Sequence, residues 1–214
     1  MAFMLSGVPV LDVDTPQGLA RAHLHPVAAP VAALVLGHGA GGAVSAPDLV
    51  AATAAARAAG LAVVLVEQPY RVAGRRSAPA APRLDEAWLA VLAALGAGPL
   101  AGLGIVVGGR SSGARVACRT AQAAGARAVL CLAFPLLPPR RAGSASPPVS
   151  RLAELEAAGV PVLVVQGERD RFGMPPEGPG RTVVTVRGDH GLKGDLPAVG
   201  AAVAAWLPGV VGAA

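Results

Sequence analysis

Three residue types that together carry out acyl transfer stand in the order Ser, Asp, His along the chain. Ser111 lies in GGRSSGAR, Asp170 in GERDRFG and His190 in GDHGLKG. A serine hydroxyl is a weak nucleophile until a base takes its proton, and the base needs an acid to fix its tautomer. Centring on Ser111 gives Gly109-Arg110-Ser111-Ser112-Gly113, a full G-x-S-x-G match. Centring on Ser112 would put the bulky Arg110 at a flank of a sharp turn, where only a small side chain fits. Ser111 is therefore the candidate nucleophile. The Ser112 N–H, at the start of the next helix, becomes a candidate oxyanion donor. Its expected partner is the N–H of Ala40 or Gly39, in the Gly-rich turn GHGAGG (Gly37–Gly42). That turn lacks the Lys-Ser/Thr ending of a phosphate loop and the spacing of a dinucleotide site.

Of the four histidines, His23 and His25 fall in an N-terminal hairpin. His38 falls in the Gly-rich turn and is expected to brace it. His190 follows the last strand-like run, where the base of such a site belongs. Asp170 follows the preceding run and is the expected acid. Glu168 and Asp189 are the rivals. Asp189 adjoins His190 and is poorly placed to reach its ring, while Glu168 lies nearer the strand end.

The elements that must position these residues read as an alternation of apolar strands and Ala-rich helices. One strand-like run, AALVLGHGAGG, starts at Ala32, and others occur at 61–69, 103–109, 126–135, 160–170 and 181–191. Helical runs occur at 46–60, 83–96, 112–125, 151–159 and 196–207. Strands apolar on both faces and separated by helices imply a parallel sheet covered on both sides. VPVLDVDTPQGLARAHLHP alternates in polarity around a TPQG turn and predicts an antiparallel edge hairpin. In such α/β sheets ligands bind beyond the carboxyl ends of the strands. That directs attention to the loops after Leu36, Val66, Gly108, Phe134, Gln166 and Arg187. The Pro- and Ser-rich segment Pro135–Ser150 reads as a surface loop or a flap over those ends.

Composition narrows the classes. The 214 residues suit a single domain without a large lid. Apolar residues make up 53% and can fill a core, whereas aromatics at 3% argue against base-stacking nucleic-acid readers. The net charge of +5 is carried by scattered arginines, with Lys193 the single lysine. No nucleic-acid partner is expected. Cys118 and Cys131 sit in apolar periodic segments and read as small core residues, with no disulfide or metal-ligand spacing. The uncharged run Ala87–Gly109 is long enough for a membrane span, but GAGP (Gly96–Pro99) divides it into a helical and a strand-like half. No secretory leader is evident, and the cytoplasm is the expected location.

GHGAGG, EQPYRVAGRR, GGRSSGAR, GERDRFG and GDHGLKG resemble the α/β-hydrolase superfamily. They are most similar to its small lidless dienelactone-hydrolase-like branch, related to testis-expressed and NSL-complex-subunit proteins. The resemblance covers roughly residues 8–207. It implies a Ser111–Asp170–His190 triad and, with the residues above, a serine hydrolase of small carboxylic esters or thioesters needing no metal or cofactor. Arg171 departs from the pattern, which has Pro after the acid. Some relatives are complex subunits, so a binding or scaffold protein with little turnover is the competing expectation.

The arginines carry a further expectation. Arg71, Arg75, Arg76, Arg110, Arg140 and Arg141 fall on the strand-end side, and Arg110, Glu67 and Arg71 are candidate substrate contacts. A positive rim would favour an anionic ester. The alternative is that Arg110 pairs with Glu67 as a structural ion pair and the other arginines are solvated.

Overall fold

The structure, a computed structural model, describes residues 8–139 and 148–212. Uninterrupted apolar runs form its centre. Strands β3 (Ala32–Gly37), β6 (Ala128–Leu132) and β7 (Val162–Gly167) are buried at every position. β4 (Leu61–Glu67) and β5 (Ile105–Arg110) are buried except at their ends. These five strands and β8 (Arg181–Val186) run parallel. The hairpin of β1 (Val10–Thr15) and β2 (Gly18–His25) closes the other edge, with β2 antiparallel to both β1 and β4. The order across the eight strands is β1-β2-β4-β3-β5-β6-β7-β8. The Thr15 hydroxyl ties the hairpin turn by donating to the Gly18 carbonyl at 2.6 Å.

Helices cover both faces. α1 (Pro47–Ala58) and α6 (Leu196–Val211) bury Leu49, Ala52, Ala56, Val199, Val203 and Leu207 on one side. α3 (Ala81–Ala97), α4 (Ser112–Thr120) and the short α5 (Leu152–Glu156) cover the other, around Trp88, Val91, Leu95, Ala114, Ala117 and Leu155. The small side chains of α4 let it lie close to β5 and β6. A one-turn helix, α2 (Pro69–Val72), follows β4 and has no counterpart in the sequence reading.

Two boundaries differ instructively from expectation. α4 loses regularity after Thr120, and residues 121–125 form a capping turn closed by Gly125 at φ +61°. α6 continues past Leu207 through Pro208, because Trp206, Val210 and Val211 still have apolar surface to cover. Between α3 and β5 the chain breaks at the Gly-Pro turn. Among the described residues no helix is long and apolar enough to cross a membrane. Cys118 and Cys131 are fully buried free thiols with their sulfurs 3.4 Å apart.

The chain order places the site. From β3 the chain moves outward to β4, then crosses back to β5 on the other side of β3, so the connections diverge at the β3–β5 pair. Gly37 of β3 is in register with Gly109 of β5, which brings the turns after both strands side by side.

Candidate active site

The elbow after β5 is strained at one residue. Ser111 adopts φ 52° and ψ −108°, a conformation that non-glycine residues adopt at a cost of about 1–3 kcal/mol. Its N–H donates to the Leu132 carbonyl at 2.9 Å, which ties the turn to β6. The flanking glycines are steric requirements. A Cβ on Gly109 would stand 2.5 Å from the Gly37 carbonyl oxygen, and one on Gly113 would collide with the same oxygen.

His190, after β8, reaches both other candidates. Its Nε2 lies 2.9 Å from Ser111 Oγ and its Nδ1 lies 2.8 Å from Asp170 Oδ2. A carboxylate only accepts, so Nδ1 carries the proton and Nε2 is left to accept from the serine hydroxyl. The Asp170 side chain is fully buried, while that of His190 keeps 18% exposure. Asp170 Oδ1 accepts from the Phe172 N–H at 2.9 Å and Oδ2 accepts from Gln166 Nε2 at 2.8 Å. The Phe172 ring meets the imidazole edge-on, with centroids 4.5 Å apart. The rival acids are occupied elsewhere: Glu168 contacts Arg169, and Asp189 accepts from the Gly191 N–H.

Gln166 was not singled out in the sequence. It is fully buried, and its amide also donates to the Phe134 and Gly173 carbonyls. The signal was a lone polar residue ending the apolar strand VLVVQG.

The candidate oxyanion donors lie in the turn after β3 (Gly39 and Ala40) and at the start of α4 (Ser112). Among the described residues, the N–H groups of Ala40, Gly39 and Ser112 donate to no protein acceptor. Ala40 and Ser112 line the same cleft as Ser111. His38 braces the turn after β3. Its Nδ1 donates to the Gly39 carbonyl at 2.8 Å and its Nε2 accepts from the Gln68 N–H at 3.0 Å. Burial lowers the pKa of His38, partly offset by the bond to Gly39, which favours this neutral form. Tyr70 adds a third tie by donating to the Ala40 carbonyl at 2.8 Å.

Arg110 does not pair with Glu67, as the sequence suggested. Glu67 instead faces His23 at 3.7 Å, and the partner of Arg110 is Asp48, in the first turn of α1. Arg110 Nε lies 3.2 Å from Asp48 Oδ2, close but poorly aligned, so the contact is ionic more than a directed hydrogen bond. Arg110 Nη2 donates to the His190 carbonyl at 2.8 Å. Burial raises the pKa of Asp48, opposed by the Arg110 charge and the Leu49 N–H. The Arg110 side chain passes directly over Gly39, where an added Cβ would stand 2.9 Å from Nη1.

The cleft over Ser111 has a volume of about 500 Å³. Arg110 lines it, but Glu67 and Arg71 do not. Arg71 folds back to donate to the Arg75 carbonyl, and Arg75 and Arg76 are exposed. Arg140 and Arg141 lie outside the described residues. Among the described residues, the arginines that do line the cleft, besides Arg110, are Arg115, Arg119, Arg151 and Arg171.

The arrangement is that of known hydrolases at the level of fold. One similar structure is an α/β serine hydrolase without a lid from Xanthomonas campestris, 20% identical over 91% of each chain, with a TM-score of 0.68. Another is a dienelactone hydrolase from Anabaena variabilis, 16% identical over 94% of this chain and 97% of that one, with a TM-score of 0.74. A third is the esterase domain of a Rhodothermus marinus protein, 17% identical over 96% of this chain and all of that one, with a TM-score of 0.64. No curated protein matches the sequence. Residues 30–193 match the family described as alpha/beta hydrolase domain, and the chain belongs to that family.

Proposed function

We propose that the protein is a serine hydrolase that cleaves a small carboxylic ester or thioester through an acyl-enzyme on Ser111. The observation that carries this reading is His190 held between Ser111 Oγ and Asp170 Oδ2 at 2.9 and 2.8 Å. Ser111 Oγ attacks the carbonyl carbon as its proton passes to His190 Nε2. The negative charge gathers on the former carbonyl oxygen, where the N–H groups of Ser112 and of Ala40 or Gly39 receive it. Each such donor is typically worth about 2.7–4 kcal/mol of barrier. Collapse of the tetrahedral intermediate expels the alcohol or thiol, which takes the proton from His190. Water then attacks the acyl-enzyme with His190 again as base. Asp170 keeps the proton on Nδ1 and stabilises the imidazolium.

The proposal includes a single domain without a large lid and kinship with the testis-expressed and NSL-complex-subunit branch, supported by the five motifs. It also includes a cytoplasmic location, supported by two free thiols in contact that an oxidising compartment would threaten.

A fluorophosphonate probe tests the reading. Covalent labelling of the wild type that disappears in Ser111→Ala is expected. Folded wild type that resists the probe would overturn it in favour of a binding or scaffold role.

A further inference from the structure

The cleft wall carries more positive charge than its ion pairs neutralise. Arg115 and Arg119, four residues apart on α4, both line the cleft that holds Ser111. Both are matched by carboxylates. Arg115 grips the two oxygens of Glu154 at 2.6 and 2.7 Å. Arg119 grips Asp85 at 2.6 and 2.9 Å and reaches Glu154 at 3.1 Å. Arg110 is matched by Asp48. Among the described residues, no Asp or Glu lines the cleft itself.

Arg151 and Arg171 remain. Arg151 donates from Nη1 to the Pro135 carbonyl at 3.1 Å, and Arg171 lies against the Phe172 ring, 4.9 Å from its centroid. Among the described residues neither has a carboxylate partner. Arg151 is half-buried, and burial lowers its pKa, with the Arg115 and Arg119 charges adding to the effect against Glu154. Its guanidinium is short of counter-charge, with the Arg115 and Arg119 charges acting on it.

We propose that the cleft selects esters or thioesters bearing a carboxylate, with Arg151 as the principal receptor of that carboxylate and Arg171 as its second cation. This rests on the hydrolase reading above and names the substrate class of the same site. A guanidinium with unused N–H groups matches the two oxygens of one carboxylate in a fork. Glu154 and Asp85, just behind the wall, disfavour a more highly charged group. Arg151 and Arg171 line the same cleft as Ser111 and His190, so the carboxylate and the scissile carbonyl share that cleft.

Two matched ester pairs test this. One is mono-4-nitrophenyl adipate against its methyl ester, with the charge on the acyl side. The other is 4-acetoxybenzoate against methyl 4-acetoxybenzoate, with the charge on the alcohol side. The readout is the charged-to-neutral ratio of kcat/KM within each pair, which is independent of the fraction of active protein. The expected ratio in one pair is at least about tenfold above unity, the scale of one charge-assisted hydrogen bond. It should fall towards unity in Arg151→Met/Arg171→Met and in about 0.5 M salt. Arg151→Lys should keep part of it, and the remote Arg127→Met all of it. Turnover of the neutral esters with both ratios at or below one overturns the inference alone. So does a preference that survives the double variant. No turnover of any ester, together with no fluorophosphonate labelling, overturns the hydrolase reading and the inference with it.

Discussion

Two buried carboxylates reach the same histidine, one at its ring and one at its backbone. Asp170 holds His190 Nδ1 directly and is itself held by Gln166 and the Phe172 N–H. Asp48 acts at one remove, through Arg110, which donates to the His190 carbonyl. The side chains of the two acids are 0% and 1% exposed, so burial alone does not distinguish them. Their partners do. Asp170 faces a group that gains charge during the proposed reaction, whereas Asp48 faces a guanidinium that is always charged. The first arrangement suits stabilising an imidazolium. The second suits fixing a loop, because a permanent ion pair between α1 and the elbow leaves Arg110 one direction in which to donate.

The largest expected effect tests the ring side. Asp170→Asn should lower kcat by about 10⁴-fold, because an amide facing Nδ1 favours the wrong tautomer. The fluorophosphonate labelling rate should fall in parallel. An Asn variant with near wild-type turnover would show that the acid is elsewhere.

The backbone side should divide differently between stability and rate. Arg110→Met strands a buried carboxylate and should cost about 3–5 kcal/mol in urea unfolding. Asp48→Asn/Arg110→Met should cost less than the single change, since no unpaired charge is left. Both variants release the His190 carbonyl, and kcat should fall about 10–10²-fold, the scale of a misplaced catalytic group. If the double variant regains stability but not rate, the strut positions His190. If it regains both, the pair is structural only.

A gentler perturbation sharpens the same point. Gly39→Ala pushes a methyl against Arg110 Nη1 and should lower kcat by several-fold while leaving Asp170 untouched. Combined with Arg110→Met, the added cost should vanish, because the group it displaces is gone.

The smallest effect concerns the brace of the Gly-rich turn after β3. His38 has a folded pKa below its ordinary 6.5 because it is buried. Below that ordinary value the unfolded chain takes up a proton that the folded chain resists. Stability is therefore full above pH 6.5 and declines as pH falls towards the folded pKa. His38→Gln should flatten this part of the stability profile, as pH falls below the ordinary histidine value of 6.5, in urea titrations.

Asp170 was legible because it follows an apolar strand in the segment preceding that of His190, and the order of strand ends fixes which loops meet. Asp48 was not, because an acid in the first turn of a helix is ordinarily a surface residue answering the helix dipole. Its neighbours in APDLVAATAAA are small and apolar, and an isolated charge there was the available sign of a buried partner. The arginines show the same limit. Those near Glu67 in sequence drew attention, yet the cleft is lined by Arg110 together with Arg115 and Arg119, four and eight residues after Ser111, and by Arg151 and Arg171 from other segments.

The sequence by itself determined the alternation of strands and helices, the antiparallel hairpin, and the G-x-S-x-G turn that admits Ser111 and excludes Ser112 as its centre. These follow from local sterics and from periodicity, which nearby residues set. Only the tertiary structure decided that Arg110 meets Asp48 instead of Glu67, that His38 ties two loops, and which arginines face the serine. Those pairings depend on strand register and on the paths of loops between distant segments. A charged side chain takes whichever partner the packed backbone brings within reach.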